Sequence, residues 1–187
     1  PDWLWQSWCG AYGEDGARAI AEANGAQASL DIVLKTAGAV APEGEKLFGN
    51  VLRLGESARV EDLPGFADGE WWVQDAAATL PVHLLGEVRG QRVIELCAAP
   101  GGKTMQLAAA GANVTAVELE ARRLALIEEN LTRIKLSAEV IAADARDWTP
   151  DARTPFVLLD APCTATGTIR RHPDVPWLKS ETDLNVL

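Results

Sequence analysis

The stretch Val93-Ile94-Glu95-Leu96-Cys97-Ala98-Ala99-Pro100-Gly101-Gly102-Lys103-Thr104 constrains the chain more than any other, because an apolar strand runs straight into a glycine turn and then a helix. Such a turn makes a small-molecule site. Glycine lets the backbone approach a ligand where a Cβ would collide, and the helix start offers unpaired N–H groups and a positive dipole end. Two ligand classes compete for it. Gly102, Lys103 and Thr104 fit the end of a phosphate-binding P-loop, but Cys97 stands where that motif has its first glycine and Pro100 removes a backbone donor. The spaced glycines of the dinucleotide fingerprint are also missing, since only an adjacent pair is present.

Downstream strands sharpen the choice. The run from Asn113 to Leu119 reads as a second strand carrying Glu118, twenty residues after Ala98. An acid at that strand end is placed to accept from both hydroxyls of a ribose. A third strand, Glu139 to Ala143, runs into Asp144, and a fourth, Pro155 to Asp160, ends in Asp160. Each delivers a carboxylate to the sheet edge where open parallel sheets bind ligands. As an isolated feature Asp160 would serve equally as the magnesium acid of a nucleotide hydrolase. The following Ala161-Pro162-Cys163 favours another chemistry, because a thiol beside an acid that can hold a heterocycle suits covalent work on a base.

With these residues in place, the chain resembles the RNA cytosine-5 methyltransferases. Cys97 to Thr104, Glu118, Asp144 and the run Leu159-Asp160-Ala161-Pro162-Cys163-Thr164-Ala165-Thr166-Gly167-Thr168-Ile169-Arg170-Arg171-His172-Pro173-Asp174 carry the resemblance. Its last five residues are particularly similar to the bacterial small-subunit ribosomal RNA branch, the Sun/RsmB-type enzymes. Leu63-Pro64-Gly65-Phe66-Ala67-Asp68-Gly69 and Val73-Gln74-Asp75-Ala76-Ala77-Ala78 resemble that family's approach to its catalytic domain. The resemblance implies S-adenosylmethionine as cofactor. The turn of Cys97, Ala98, Ala99, Pro100, Gly101, Gly102 and Lys103 would wrap its methionine part, Glu118 its ribose and Asp144 its adenine amino group. Asp160 would lie between cofactor and cytosine, with Cys163 as the second catalytic residue, and small-subunit ribosomal RNA as the partner. In this family the attacking cysteine sits in a later Thr-Cys-Ser-like motif, while the Pro-Cys thiol, here Cys163, assists release. The chain reaches Leu187 before any such motif, so an internal fragment that binds cofactor without transferring methyl groups is expected. An unpaired, apolar last strand should leave it marginally stable.

Other residues have simpler readings. Cys97 suits a packed turn and Cys9, among tryptophans, a core. Lys103 would ordinarily be solvated, and Arg170, Arg171 and His172 form either a solvated cluster or contacts to RNA phosphates. The dispersed tryptophans suit packing, with Trp177, just past the basic loop, left open.

Composition admits this reading without suggesting it. The 187 residues are 48% apolar, enough for one sizeable core and a small satellite. No run is long and apolar enough to cross a bilayer, and Pro1-Asp2-Trp3 opens no signal peptide, so a cytoplasmic protein without a membrane partner is expected. Three cysteines without zinc-like spacing fit a reducing compartment and no metal site. The net charge of −10 is unusual for a polyanion binder, so RNA contact must be local.

The expected fold is α/β, a Rossmann-like methyltransferase domain with a truncated parallel sheet over residues 71–187, preceded by a small α+β, RNA-binding-type subdomain over residues 1–70. Helices are expected over Pro1–Cys9 and Gly16–Asn24, strands over Ala28–Thr36 and Val51–Leu54, and a helix capped by Asp75 that Pro81 kinks or shortens. Beyond Gly90 the pattern is strand 92–97, helix 102–110, strand 113–119, helix 121–135 and strands 139–143 and 155–160. A P-loop-like nucleotide hydrolase and a catalytically silent RNA-binding module are the alternatives.

Overall fold

The computed structural model describes residues 1–55 and 59–185. Its contacts gather into two compact units, one of residues 29–161 and one of residues 1–28 with 162–187.

The larger unit contains two four-stranded sheets. The parallel one is built from β5 (Arg92–Leu96), β6 (Asn113–Glu118), β7 (Glu139–Ala142) and β8 (Phe156–Leu159), in the order β7-β6-β5-β8. The first two strands of this sheet in chain order, β5 and β6, are therefore central, as a Rossmann-like sheet requires. Their near-continuous apolar runs follow from burial on both faces: all of β6 after Asn113 is buried. Between the strands lie α3 (Gly102–Ala109) and α4 (Ala121–Ile134). The latter turns Ile127, Leu131 and Ile134 inward at helical spacing and ends on Lys135 in the left-handed region. The outer strand β8 leaves Val157 and Leu159 exposed.

The second sheet is antiparallel, of β1 (Leu30–Leu34), β2 (Glu45–Phe48), β3 (Val51–Leu54) and β4 (Trp71–Val73), ordered β2-β3-β1-β4. After it comes α2 (Ala76–Leu84), whose Asp75 cap accepts from the Ala77 N–H at 2.8 Å. This helix carries Pro81 and still runs three residues beyond it.

The boundary drawn from the sequence at residue 70 falls inside this unit. One buried cluster joins Val33, Val51 and Trp72 of the antiparallel sheet to Met105, Ala116, Ile127, Leu131 and Ile134 around the parallel one. Burying a side chain as large as Trp72 contributes about 1.5–3 kcal/mol. Polar ties reinforce the seam: Lys35 donates to the Ile134 carbonyl at 2.7 Å, and Arg133 to the carbonyls of Phe66 and Trp71 at 2.9 and 3.1 Å. The Arg133 guanidinium also lies 4.0 Å from the centre of the Phe66 ring. At Gly69, φ is +73° and a Cβ would stand 2.0 Å from the Arg133 carbonyl oxygen, so only glycine allows this approach.

In the smaller unit, α1 (Asp2–Gly25) joins the two expected N-terminal helices across a kink at Gly13, where φ is 72°. Its Leu4 and Ala17 are buried. The C-terminal segment of this unit contributes a 3-10 turn at Thr166–Thr168, the short α5 (Val175–Leu178) and the buried side chains of Ile169 and Pro176. None of the described helices is long and apolar enough to cross a membrane.

Candidate functional site

Register places three carboxylates at the C-terminal edge of the parallel sheet. Glu118 ends β6, and its carbonyl accepts from Ala143 N–H at 3.0 Å, one residue before Asp144. Asp160 follows β8 directly, its N–H reaching the Leu96 carbonyl at 3.3 Å. The turn after β5 lies among them.

That turn directs its first amides into the protein. Ala98 N–H donates to the Val117 carbonyl at 3.1 Å, Ala99 N–H to Glu118 Oε2 at 3.1 Å, and Gly101 N–H to the Ala98 carbonyl at 2.9 Å. Pro100 has no N–H to give. A phosphate cradle requires these donors to converge on a ligand. They do not, and α3 begins directly after them, capped by Gly101 at φ 99°. A Cβ on Gly101 would meet Ile127 at 3.4 Å while strained by that φ. Carbonyls of the turn are held from α4, with Arg123 donating to Ala99 at 2.9 Å and Asn130 to Pro100 at 3.0 Å. Cys97 has φ 60° and is half-buried, and burial, then the nearby Glu118 charge, pushes its thiol pKa up. A raised thiol pKa leaves less of the reactive thiolate, in keeping with a packed turn residue.

Glu118 is 3% exposed and fully engaged on its inner side. Besides the Ala99 bond, its Oε1 accepts from Glu120 N–H at 3.2 Å, with Arg123 3.5 Å away. A carboxylate offers about four acceptor positions, so two backbone bonds leave room for a pair of hydroxyls. Asp144 accepts from both the backbone and the guanidinium of Arg146, which holds its carboxyl down at about 2, so it stays ionised. Lys103 is not solvated: 15% exposed, it bonds Asp160 Oδ2 at 2.6 Å, while Asp160 is 58% exposed. The ammonium is spent on the acid rather than directed at a phosphate.

Sequence reasoning missed Glu95. Lying within β5 and 1% exposed, it accepts from Thr104 Oγ1 at 2.6 Å, and desolvation raises its carboxyl to about 7. The available signal was an acid inside an otherwise apolar parallel strand.

The remaining candidates belong to the smaller unit. Cys163 is exposed, and its Sγ accepts from Ala165 N–H at 3.3 Å. His172 is exposed, whereas Arg170 and Arg171 are half-buried and engaged within the protein, so they are not a freely solvated cluster. Trp177 is 78% exposed. Among the described residues no group of three His, Cys, Asp or Glu side chains is arranged to hold a metal ion.

Comparisons with known proteins agree with this geometry. The family model described as 16S rRNA methyltransferase RsmB/F matches residues 82–187. Ribosomal RNA small subunit methyltransferase B of Serratia proteamaculans is 46% identical over 150 residues, covering 78% of this chain and 35% of that protein. Its counterpart from Pseudomonas putida is 51% identical over 140 residues, 72% of this chain and 32% of that one. The chain thus spans about a third of the length of these curated relatives. Among solved structures, PH0851 superposes on 100% of this chain and 46% of its own, with a TM-score of 0.84 at 26% identity. A methyltransferase homolog from Pyrococcus horikoshii covers 94% of this chain and 61% of its own with a TM-score of 0.72; at 23% identity it speaks for the fold alone. Together with the glycine turn, the strand-end acids and the Rossmann-like sheet that carries them, the match over residues 82–187 makes this chain a member of the RsmB/F family of 16S rRNA methyltransferases.

Proposed function

We propose that the protein of which this chain is a part methylates carbon 5 of cytosine in small-subunit ribosomal RNA, in the cytoplasm, with S-adenosylmethionine as methyl donor. The observation carrying the cofactor reading is the inward orientation of the Ala98, Ala99 and Gly101 amides, which disfavours a phosphate and leaves the start of α3 with Glu118 at the next strand end. That arrangement fits a nucleoside-bearing ligand. The first amides of α3 have no acceptor within the helix and suit the carboxylate of a methionine moiety. Glu118 takes the ribose hydroxyls and Asp144 the adenine amino group. The donor supplies an electrophilic methyl group on a sulfonium.

The chain's own residues serve the base. Carbon 5 of cytosine is a poor nucleophile until a thiolate adds to carbon 6. Asp160, exposed at the sheet edge and bonded to the Lys103 ammonium, is the residue we assign to the cytosine ring, where a hydrogen bond favours its protonated, electrophilic form. By family resemblance the attacking thiolate comes from another segment of the protein and Cys163 assists release. RNA contact is assigned to Arg170, Arg171 and His172, and to the segment over residues 1–70. The target base must leave its stack to be reached.

Calorimetry on the chain with S-adenosylmethionine, and separately with ATP and magnesium, tests the cofactor reading. Binding of the first alone is expected; binding of ATP in its place would overturn the assignment.

A further inference from the structure

The middle of β5 is an unusual place for an acid. In register, Glu95 pairs with Ala116 of β6 and Leu158 of β8, so strands flank it on both sides. An apolar residue is the ordinary occupant of such a strand. An ionised carboxylate there is disfavoured unless it is well partnered. Its hydrogen-bond partner is the wholly buried Thr104, the third residue of α3, whose hydroxyl donates to it at 2.6 Å. The charged groups facing it are Lys103 from α3 and Asp160 from the end of β8; its pairing neighbours on β6 and β8 are not ionisable. Lys103 itself bonds Asp160 at 2.6 Å. One cation therefore acts on two acids, the exposed Asp160 and the buried Glu95.

We propose that Glu95 is a positioning residue for the cofactor turn: it fixes the first turn of α3 through Thr104 and shares the charge of Lys103 with Asp160, so that occupancy of the site is linked to its ionisation. The inference rests on the cofactor reading above. Burial raises the carboxyl to about 7, with the Thr104 hydroxyl and Lys103 lowering it and Asp160 raising it, so both states are populated near neutrality. S-adenosylmethionine carries a net positive charge at neutral pH, and a cationic ligand nearby favours the ionised acid. By linkage its affinity should rise with pH as Glu95 ionises. S-adenosylhomocysteine lacks the sulfonium charge and should show a smaller rise.

Two measurements decide it. Calorimetry across about pH 6 to 8 should show S-adenosylmethionine binding roughly three- to tenfold tighter at the upper end, and Glu95→Gln should flatten the profile. His83 and His172 are both retained in Glu95→Gln, so a slope that persists in that variant overturns the proposal. A flat wild-type profile overturns it as well. The second measurement needs no cofactor. In protein labelled with ¹³C at glutamate carboxyl carbons, the resonance lost in Glu95→Gln should titrate near neutrality, and move to higher pH in Thr104→Val and in Lys103→Ala. Titration in the ordinary carboxylate range, or indifference to both substitutions, refutes the coupling. Absence of binding at every pH instead refutes the cofactor reading, while the carboxyl titration still decides whether Glu95, Thr104 and Lys103 act together.

Discussion

Replacing Glu118 by alanine should damage two things of separable size. Its carboxylate holds the buried Ala99 N–H at 3.1 Å and the partly buried Glu120 N–H at 3.2 Å, and stands 3.5 Å from Arg123. A buried donor left without a partner costs about 1–3 kcal/mol. The Glu120 amide can regain water, and the half-exposed Arg123 contributes only about 0–1 kcal/mol as a screened ion pair. The expected loss of stability is therefore about 1–4 kcal/mol, which a domain of typical stability survives. The cofactor should lose a further contribution, the ribose hydroxyls on a charged acceptor, of about 1.5–3 kcal/mol, or roughly 10- to 150-fold in affinity. Glu118→Gln separates the two. Its amide oxygen can still accept one backbone N–H, while its NH₂ turns a donor toward groups that already donate. Urea unfolding followed by tryptophan fluorescence measures the first effect, and calorimetry with S-adenosylmethionine the second. A folded Glu118→Gln protein with an unchanged dissociation constant refutes the ribose assignment, and an unchanged urea midpoint in Glu118→Ala refutes the anchoring of the turn.

Gly102→Ala should be tolerated in the free protein, since its Cβ would lie at an ordinary 3.6 Å from Gln74, changing stability by under about 1 kcal/mol; affinity for cofactor should nevertheless fall if the backbone there meets a ligand, and calorimetry beside a thermal melt reads both. Gly69→Ala should behave oppositely, losing about 3 kcal/mol or more through collision with the Arg133 carbonyl, and a melting temperature equal to wild type would contradict the packing at that seam. Glu95 makes stability fall as pH rises from 4.5 toward about 7, because the unfolded chain ionises there while the buried acid keeps its proton; the total is about 3 kcal/mol, and urea titrations of Glu95→Gln should lack that slope. In a full-length enzyme of this family carrying the segment, Cys163→Ala should still form the covalent RNA adduct and fail to release it, leaving a denaturant-resistant complex on a gel; loss of the adduct would make Cys163 the nucleophile.

What the sequence made legible is the parallel sheet, and the reason is burial. Strands flanked on both sides and covered on both faces are apolar nearly throughout, so β5 and β6 are recognisable by content, and Glu118 stands out where the apolar run of β6 ends. The observed ends lie within a residue or two of those expected. The strand β2 is different, for Glu45, Lys46 and Phe48 are exposed and of its four residues just Leu47 packs against the core; it is a strand because β3 pairs with it. Only three residues long, β4 is likewise defined by its register with β1. Its tryptophans signal packing without saying against what. Local pattern cannot carry information that lies in the partner. The same limit hid the two facts that most shape the site: where the amides of the turn point, and which acid takes the Lys103 ammonium.

The segment from Trp71 to Leu84 shows why a stretch without chemistry of its own belongs to the site. Trp72 donates its indole N–H to Gln74 Oε1 at 2.7 Å, Gln74 donates to Gln106 Oε1 at 3.1 Å, and Gln106 donates to the Thr79 carbonyl at 3.1 Å. All three side chains are buried, so each unmade bond in this chain would leave a polar group stranded. Gln106 lies on α3, two residues beyond Thr104. From the sheet side α3 is held by Glu95 through Thr104, and from the other side by Gln74 through Gln106. A helix gripped at two points along its length cannot swing about either one. The Gly101–Gly102 turn that opens it inherits that fixity, which is what a cofactor held largely by backbone requires. The antiparallel sheet and α2 therefore act on the site through the position of α3, and the core they share with the parallel sheet is the physical form of that coupling.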